Sequence, residues 1–185
     1  KHGFGDLIDA YNSQRVGAGT VALGLAQGAY DLARDYLQER EQFGRPIGNF
    51  QAIKHKCADM LMMIESARSA AFYASALAAE GEPDIREAAS SAKAVCADTS
   101  FHCAAENIQI HGGIGFTWEH PAHLYFKRAK STEILFGSPA YHRERVARHI
   151  RDGRIAVGPW YTLPDLYPLD GECLVRNLLV GTRTA

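Results

Sequence analysis

The sequence predicts an all-α protein, an up-down four-helix bundle with an irregular C-terminal tail. Three observations carry that expectation. Small and apolar residues recur at spacings of three and four over long stretches, Gly- and Pro-rich breaks separate those stretches, and no strand-like alternation occurs before residue 150.

The first helix is expected over residues 7 to about 37. Val16, Thr20, Leu23, Gln27, Tyr30 and Ala33 follow its period, and many neighbours are Gly or Ala, so a partner helix can approach closely. The segment REQFGRPIGNF breaks the pattern with Gly44, Pro46 and Gly48 and reads as a loop. A second helix is expected from about 51 to 79, with Ile53, Cys57, Met60, Leu61 and Ile64 on one face. The segment EGEPD is a turn whose Asp84 is a candidate N-cap for a third helix reaching about residue 110. HGGIGF breaks that helix. A short helix over 121–129 and a last one over 140–151 complete the bundle, giving a helical domain over residues 1–152. Residues 153–185 change character: GPWYTLPDLYPLDGE has three prolines and several aromatics without helical period, and CLVRNLLV reads as a short docking element.

The bulk numbers fit one ordinary domain. The chain has 185 residues, 46% hydrophobic and 22% charged, with net charge −1. That balance does not argue for a general nucleic-acid or polyanion binder. No apolar run approaches the roughly 20 residues a membrane span needs, and the first residues lack the apolar segment of a signal peptide. Cys57, Cys96, Cys103 and Cys173 form no CxxC pair and read as buried, reduced thiols of a cytoplasmic protein. The histidines show no metal-ligand spacing, so no metal site is expected.

Three motifs can carry chemistry, each with a plainer alternative. In REQFGRPIGNFQ, Arg40 ends a long helix and can clamp a phosphate, with Gln42 adding an amide and Phe43 an aromatic wall; alternatively Arg40 compensates the helix dipole and Phe43 anchors the core. In NIQIHGGIGF, Gly112 and Gly113 let backbone approach a ligand beside Gln109, or they form a helix C-cap and turn. The pattern is not GxGxxG after a strand, so a Rossmann site is rejected. In YNSQR, Asn12 and Arg15 share a helix face that binds a polar or anionic ligand, or is simply solvated.

Taken together and in order, QR, REQFGRPIGNFQ, NIQIHGGIGFTWEHP and KRAKSTEILFGS resemble the C-terminal helical domain of the acyl-CoA dehydrogenases, flavoproteins of fatty-acid and branched-acid oxidation. The resemblance covers residues 3–150. It implies FAD as cofactor, an acyl-CoA substrate, and same-family subunits in a dimer or tetramer. It also implies electron-transfer flavoprotein as electron acceptor. Family members carry an N-terminal helical domain and a middle β-domain before this one, and KHGFGDLIDA resembles the junction after the β-domain.

By matching positions, the resemblance implies that Arg40, Gln42, Phe43, Phe50 and Gln51 approach the flavin of a neighbouring subunit. It implies that Gln109, Ile110, His111, Gly112 and Gly113 contact its adenosine diphosphate portion, and that Ser138 lies where the family has a threonine near the flavin. Asn12, Ser13, Gln14 and Arg15, with Gly137, match substrate-contacting positions, although Asn12 stands where an acidic residue is common.

The family reaction needs a carboxylate to remove the α-proton of the thioester. Its usual position, a glutamate before Gly-Thr, holds Phe136; the minority position, just before an arginine on the first helix, holds Gln14. Neither residue is a base near neutral pH. Three explanations stay open: a non-catalytic subunit of a heteromeric dehydrogenase, a base in the preceding domains, or a different flavin reaction such as oxygenation or desulfination. Glu119, His120 and Glu133 are nearby ionisable groups whose plainer role is structural, with Glu133 placed to pair with Lys130. Phe136 is expected to fill the space beside the thioester and close the pocket.

Overall fold

A computed structural model describes residues 3–82 and 84–152. The expected tail over 153–185, with Cys173, lies outside the described residues. The chain divides into two compact units, Lys1–Arg145 and Val146–Ala185.

The five α-helices follow the sequence reading, and the breaks between them carry short elements of their own, including 3-10 turns at Ile47–Asn49 and Gly112–Phe116. Helix α1 spans Gly3–Glu39, α2 Gln51–Glu80, α3 Ile85–His111, α4 Ala122–Ile134 and α5 Pro139–Arg151. At 1.5 Å per residue, α1 is about 55 Å long. The α1–α2 break contains a miniature hairpin that the sequence did not announce. Strand β1 (Glu41–Gln42) pairs antiparallel with β2 (Arg45–Pro46), Glu41 opposite Pro46 and Gln42 opposite Arg45. Phe43 and Gly44 between them both have positive φ, 54° and 74°, as a two-residue type I′ loop requires. Strands of two residues are too short to show alternation, and Phe is not a usual residue at such a φ.

The ends are set locally. Gly81 closes α2 in the left-handed conformation, its N–H and that of Glu82 both donating to the Leu77 carbonyl. Asp84 stands at the start of α3, but its side chain makes no capping bond, because its own backbone is already helical (φ −74°, ψ 0°). Helix α4 continues past the expected end at 129 to Ile134, where Leu135 turns extended. Ser138 accepts the Tyr141 N–H at 3.3 Å, just before Pro139 opens α5.

Helix α3 is the centre of the bundle and packs against α1, α2 and α4. The apolar face α1 buries is Val16, Ala18, Ala22, Leu23, Ala26, Ala29, Ala33 and Leu37. The expected Thr20 is exposed, and Gln27 and Tyr30 are half-buried. The alanines won because α1 meets α3 backbone to backbone: a Cβ at Gly19 would stand 3.7 Å from the Ala92 carbonyl. On α2, Met60 and Ile64 are fully buried, while the expected Leu61 is 41% exposed and Ile53 and Cys57 are half-buried. Lys56 pairs with Glu106 to tie α2 to α3, and Arg143 pairs with Asp98 to tie the start of α5 to α3. Cys96 and Cys103 are buried and free, and burial pushes their thiols up to about 11 and about 12.

Candidate functional site at the two ends of the bundle

The candidate residues gather in two groups. The first lies where the N-terminal half of α1 meets the turn between α4 and α5. Tyr11, Arg15, Phe136, Gly137 and Tyr141 line a pocket of about 320 Å³. The Tyr11 and Phe136 rings face each other at 5.6 Å between centroids. An open pocket beside Phe136 overturns the expectation that its ring closes the site. Phe136 has φ 59° and Gly137 φ 112°, so the chain reverses there and the ring packs on Tyr11 as a wall.

Arg15 is 7% exposed and Asn12 2%, on one face of α1 as their spacing predicts. The Arg15 Nη1 donates to Asn12 Oδ1 at 2.8 Å, and its Nε donates to the Phe136 carbonyl at 3.4 Å. No carboxylate pairs with this guanidinium among the described residues. Burial, then Arg145, hold its pKa below the ordinary value, and Tyr141 opposes them. The pocket therefore offers a desolvated cation beside two tyrosines and a phenyl ring, a surface suited to an anionic or strongly polar group. Gln14 and Ser13 are exposed and do not line this pocket, so of the two base positions only Phe136 stands at it.

Two buried groups that the sequence reading passed over support the turn. Lys93, fully buried on α3, donates to the carbonyls of Thr132, Glu133 and Gly137 at 3.1, 3.2 and 3.4 Å. His142, also fully buried, donates from Nε2 to the Phe136 carbonyl at 3.1 Å. The setting of Lys93 in SSAKAVCAD, a cation amid small residues, hints at burial but not at its partners, and nothing singled out His142.

The second group lies at the opposite end. From Arg15 to Tyr36 is about 30 Å along α1, and Tyr36 stacks on His111 at 4.2 Å, which brings the ends of α1 and α3 together. Arg40, Gln42, Phe43 and Gln51 are exposed there, Phe43 at 91%. Phe50 is half-buried, edge-on to Phe43 at 6.1 Å, with the Arg45 guanidinium 4.2 Å over its ring. Gln42 donates to the Glu41 carbonyl at 2.8 Å. On α3, Gln109 is exposed, while Ile110 and His111 are buried. His111 donates from Nδ1 to the Asn107 carbonyl at 2.8 Å and packs on His120. Its ring thus faces inward, leaving backbone and glycine at the surface. Gly112 has φ 64°, and a Cβ at Gly112 or Gly113 would meet nothing within 4 Å. The surface over this glycine pair is therefore open, with the exposed Gln109 on the last turn of α3 before it.

Of the remaining candidates, Glu133 pairs with Lys130 at 2.7 Å, as its spacing suggested. His120 accepts the Ala122 N–H at 3.2 Å and so caps α4, and Glu119 is exposed. Among the described residues, no group of three or more His, Cys, Asp or Glu is assembled for a metal, and no helix is long and apolar enough to cross a membrane.

Comparison with known proteins agrees with this architecture. The acyl-CoA dehydrogenase C-terminal domain model matches residues 1–151. A 3-sulfinopropanoyl-CoA desulfinase of Cupriavidus necator is 41% identical over 155 residues, 84% of this chain and 39% of that protein. A "Probable acyl-CoA dehydrogenase" of Mycobacterium bovis is 34% identical over 79% of this chain and 38% of its own length. The solved butyryl-CoA dehydrogenase of Megasphaera elsdenii superposes with a TM-score of 0.78 at 33% identity, over 81% of this chain and 39% of that one. The chain spans less than half the length of each of these relatives. With its helical bundle, its two polar ends and these matches, the chain belongs to the acyl-CoA dehydrogenase family and carries that family's C-terminal domain.

Proposed function

We propose that this chain is the C-terminal part of an FAD-dependent, cytoplasmic flavoprotein that desulfinates a short acyl-CoA bearing a sulfinate, 3-sulfinopropanoyl-CoA being the substrate of that class. The observation that carries the reading is a pocket with a buried cation and no carboxylate. Phe136 stands where the dehydrogenation base is expected, Gln14 fills the other base position, and Arg15 lines the pocket without a counter-charge among the described residues. Relatives 39–42% identical are named 3-sulfinopropanoyl-CoA desulfinase, which supports the same choice.

Desulfination fits a site of this kind. The C–S bond breaks, the β-carbon takes a proton, and sulfur leaves as hydrogen sulfite after gaining the oxygen of one water. No electrons leave the substrate overall, so no external acceptor is needed, and the α-protons are all retained in the product, so the net reaction calls for no α-proton base. Arg15 would hold the anionic end of the substrate by charge-assisted hydrogen bonds. Phe136, Tyr11 and Tyr141 would exclude water around it and limit the acyl group to a short one.

FAD would be held at the far end of the bundle, across an interface between like subunits. Arg40, Gln42, Phe43, Phe50 and Gln51 would face it from the first break, and Gln109 and the Ile110–Gly113 backbone would face its diphosphate, with Ser138 near the flavin of the other site. When bound, the flavin supplies the electron-accepting ring of the family's chemistry. The domain boundary at about residue 152 belongs to the same reading.

A second reading is α,β-dehydrogenation with electrons passed to an electron-transfer flavoprotein, favoured by the identity to the mycobacterial protein. It requires a base from other domains or a partner subunit. Full-length protein is incubated with 3-sulfinopropanoyl-CoA while sulfite and acceptor reduction are both followed. Stoichiometric sulfite without acceptor reduction is expected; acceptor reduction with butanoyl-CoA and no sulfite release selects dehydrogenation.

A further inference from the structure

We propose that Lys93 is a positioning residue, which sets where Phe136 stands in the pocket by clamping the turn between α4 and α5 from below. The inference rests on the reading of this pocket as the acyl-CoA site.

Lys93 is fully buried, and its ammonium has three N–H donors, matched by three carbonyls: Thr132, Glu133 and Gly137. Two of these belong to the last turn of α4, the negative end of that helix. The third belongs to the pocket itself. No carboxylate pairs with Lys93 among the described residues, since Glu133 is engaged by Lys130. An apolar side chain of similar length would fill this space without desolvating a charge. A lysine here therefore does something that packing alone does not.

What it does follows from the backbone it holds. Phe136 and Gly137 are consecutive residues with positive φ, 59° and 112°. A bulky residue in that region is strained and persists only when its surroundings over-determine it. The two carbonyls of this strained pair are the ones tied down. Phe136 O accepts from His142 Nε2 at 3.1 Å and from Arg15 Nε at 3.4 Å, and Gly137 O accepts from Lys93. Donors from α3, α5 and α1 thus meet on two adjacent peptide groups. Of the three, only Lys93 also grips the end of α4, so only Lys93 fixes the turn relative to the helix before it. Releasing it lets the turn relax and carries the Phe136 ring away from Tyr11, and the pocket wall moves with it.

The test reads the ring directly. 4-Fluorophenylalanine is placed at position 136 of the full-length protein, and its fluorine resonance is recorded in the otherwise native protein, in Lys93→Met and Lys93→Gln, and in Ile64→Val. Ile64 is fully buried on α2 and makes no part of the pocket, so its variant controls for lost stability. The expected result is one sharp resonance in the native and Ile64→Val proteins and a shifted or split one in Lys93→Met. Lys93→Gln, which keeps an amide donor, falls between them and carries the test if the Met variant does not fold. A position-136 fluorine resonance identical to the native one, in whichever Lys93 variant folds, overturns the proposal. Propanoyl-CoA is then titrated into each protein. Binding to the native protein, weakened about tenfold or more in Lys93→Met, is expected. If propanoyl-CoA leaves the native resonance unmoved, the functional reading of the pocket fails, while the comparison without ligand still decides the role of Lys93.

Discussion

Acidification should destabilise this fold through His142, and the geometry around its ring sets the sign. The Phe136 carbonyl can only accept, so the His142 Nε2 at 3.1 Å must carry the proton, and Nδ1 is the basic nitrogen. That Nδ1 is buried and has no partner among the described residues. A second proton would place a charge with no acceptor in a site facing Lys93, Arg15 and Arg145. Burial is the largest cause, and the His142 pKa falls from 6.5 to about 4. A histidine with a depressed pKa in the folded state binds its proton more readily when unfolded. Its stabilising share is therefore complete above pH 6.5 and is lost as pH falls toward 4. At 1.36 kcal/mol per unit the loss is about 3 kcal/mol, a large part of the roughly 5–15 kcal/mol that holds a domain together. His111 and His120, both depressed chiefly by burial, act in the same direction. Comparison with His142→Gln, whose amide can still donate to Phe136, isolates the one residue. Urea unfolding followed by circular dichroism at pH 7, 5 and 4 should show a native midpoint that falls with pH by about 1–3 M more than that of the variant. Parallel pH profiles for the two proteins, or a His142 titration with its midpoint near 6.5, would refute the reasoning.

Other consequences are equally open to measurement. Gly137→Ala should cost about 2–5 kcal/mol in chemical unfolding, because a Cβ there combines backbone strain with overpacking; it would lie 2.8 Å from both His142 Nε2 and Tyr141 Cδ1, at φ 112°. An effect below about 0.5 kcal/mol would show that the turn is not held as described. In a Cys173→Ser background, a thiol reagent should label Cys57 in the native protein and reach Cys96 and Cys103 only on unfolding, since those two are fully buried with thiols raised to about 11 and about 12. Phe136→Glu in the full-length protein should introduce acceptor reduction with butanoyl-CoA; a variant that binds butanoyl-CoA and reduces nothing would mean that the position does not face the α-carbon.

The helices were legible because their signals are local and redundant. Three- and four-residue spacing, the glycine at 81 and the Gly–Pro break at 44–48 each mark an element without reference to the rest of the chain. The buried face of α1 was less legible. Alanine and glycine carry little hydrophobic signal, and the choice of Ala22, Ala26 and Ala29 over Thr20 and Tyr30 was made by the backbone of α3. At the pocket, Asn12 and Arg15 were readable as one face, and Phe136 as the missing base. Lys93 and His142 were not, because their partners are carbonyls 39 to 44 residues away for the lysine and six for the histidine, and main-chain acceptors leave no trace in sequence. The openness of the pocket depends on two positive φ angles, which the pair Phe–Gly does not announce. The separation of the two candidate groups by most of the length of α1 likewise emerges only from the fold.

On the proposed reading, no carboxylate base acts at the pocket lined by Phe136 and Arg15. Exchange of the α-protons of butanoyl-CoA in heavy water, catalysed by the full-length flavin-loaded protein and followed by mass spectrometry, tests it most directly. Incorporation no faster than in buffer is expected for the native protein, and clear incorporation for Phe136→Glu. Rapid exchange by the native protein would contradict it and would return the chain to the dehydrogenases with a base still to be found.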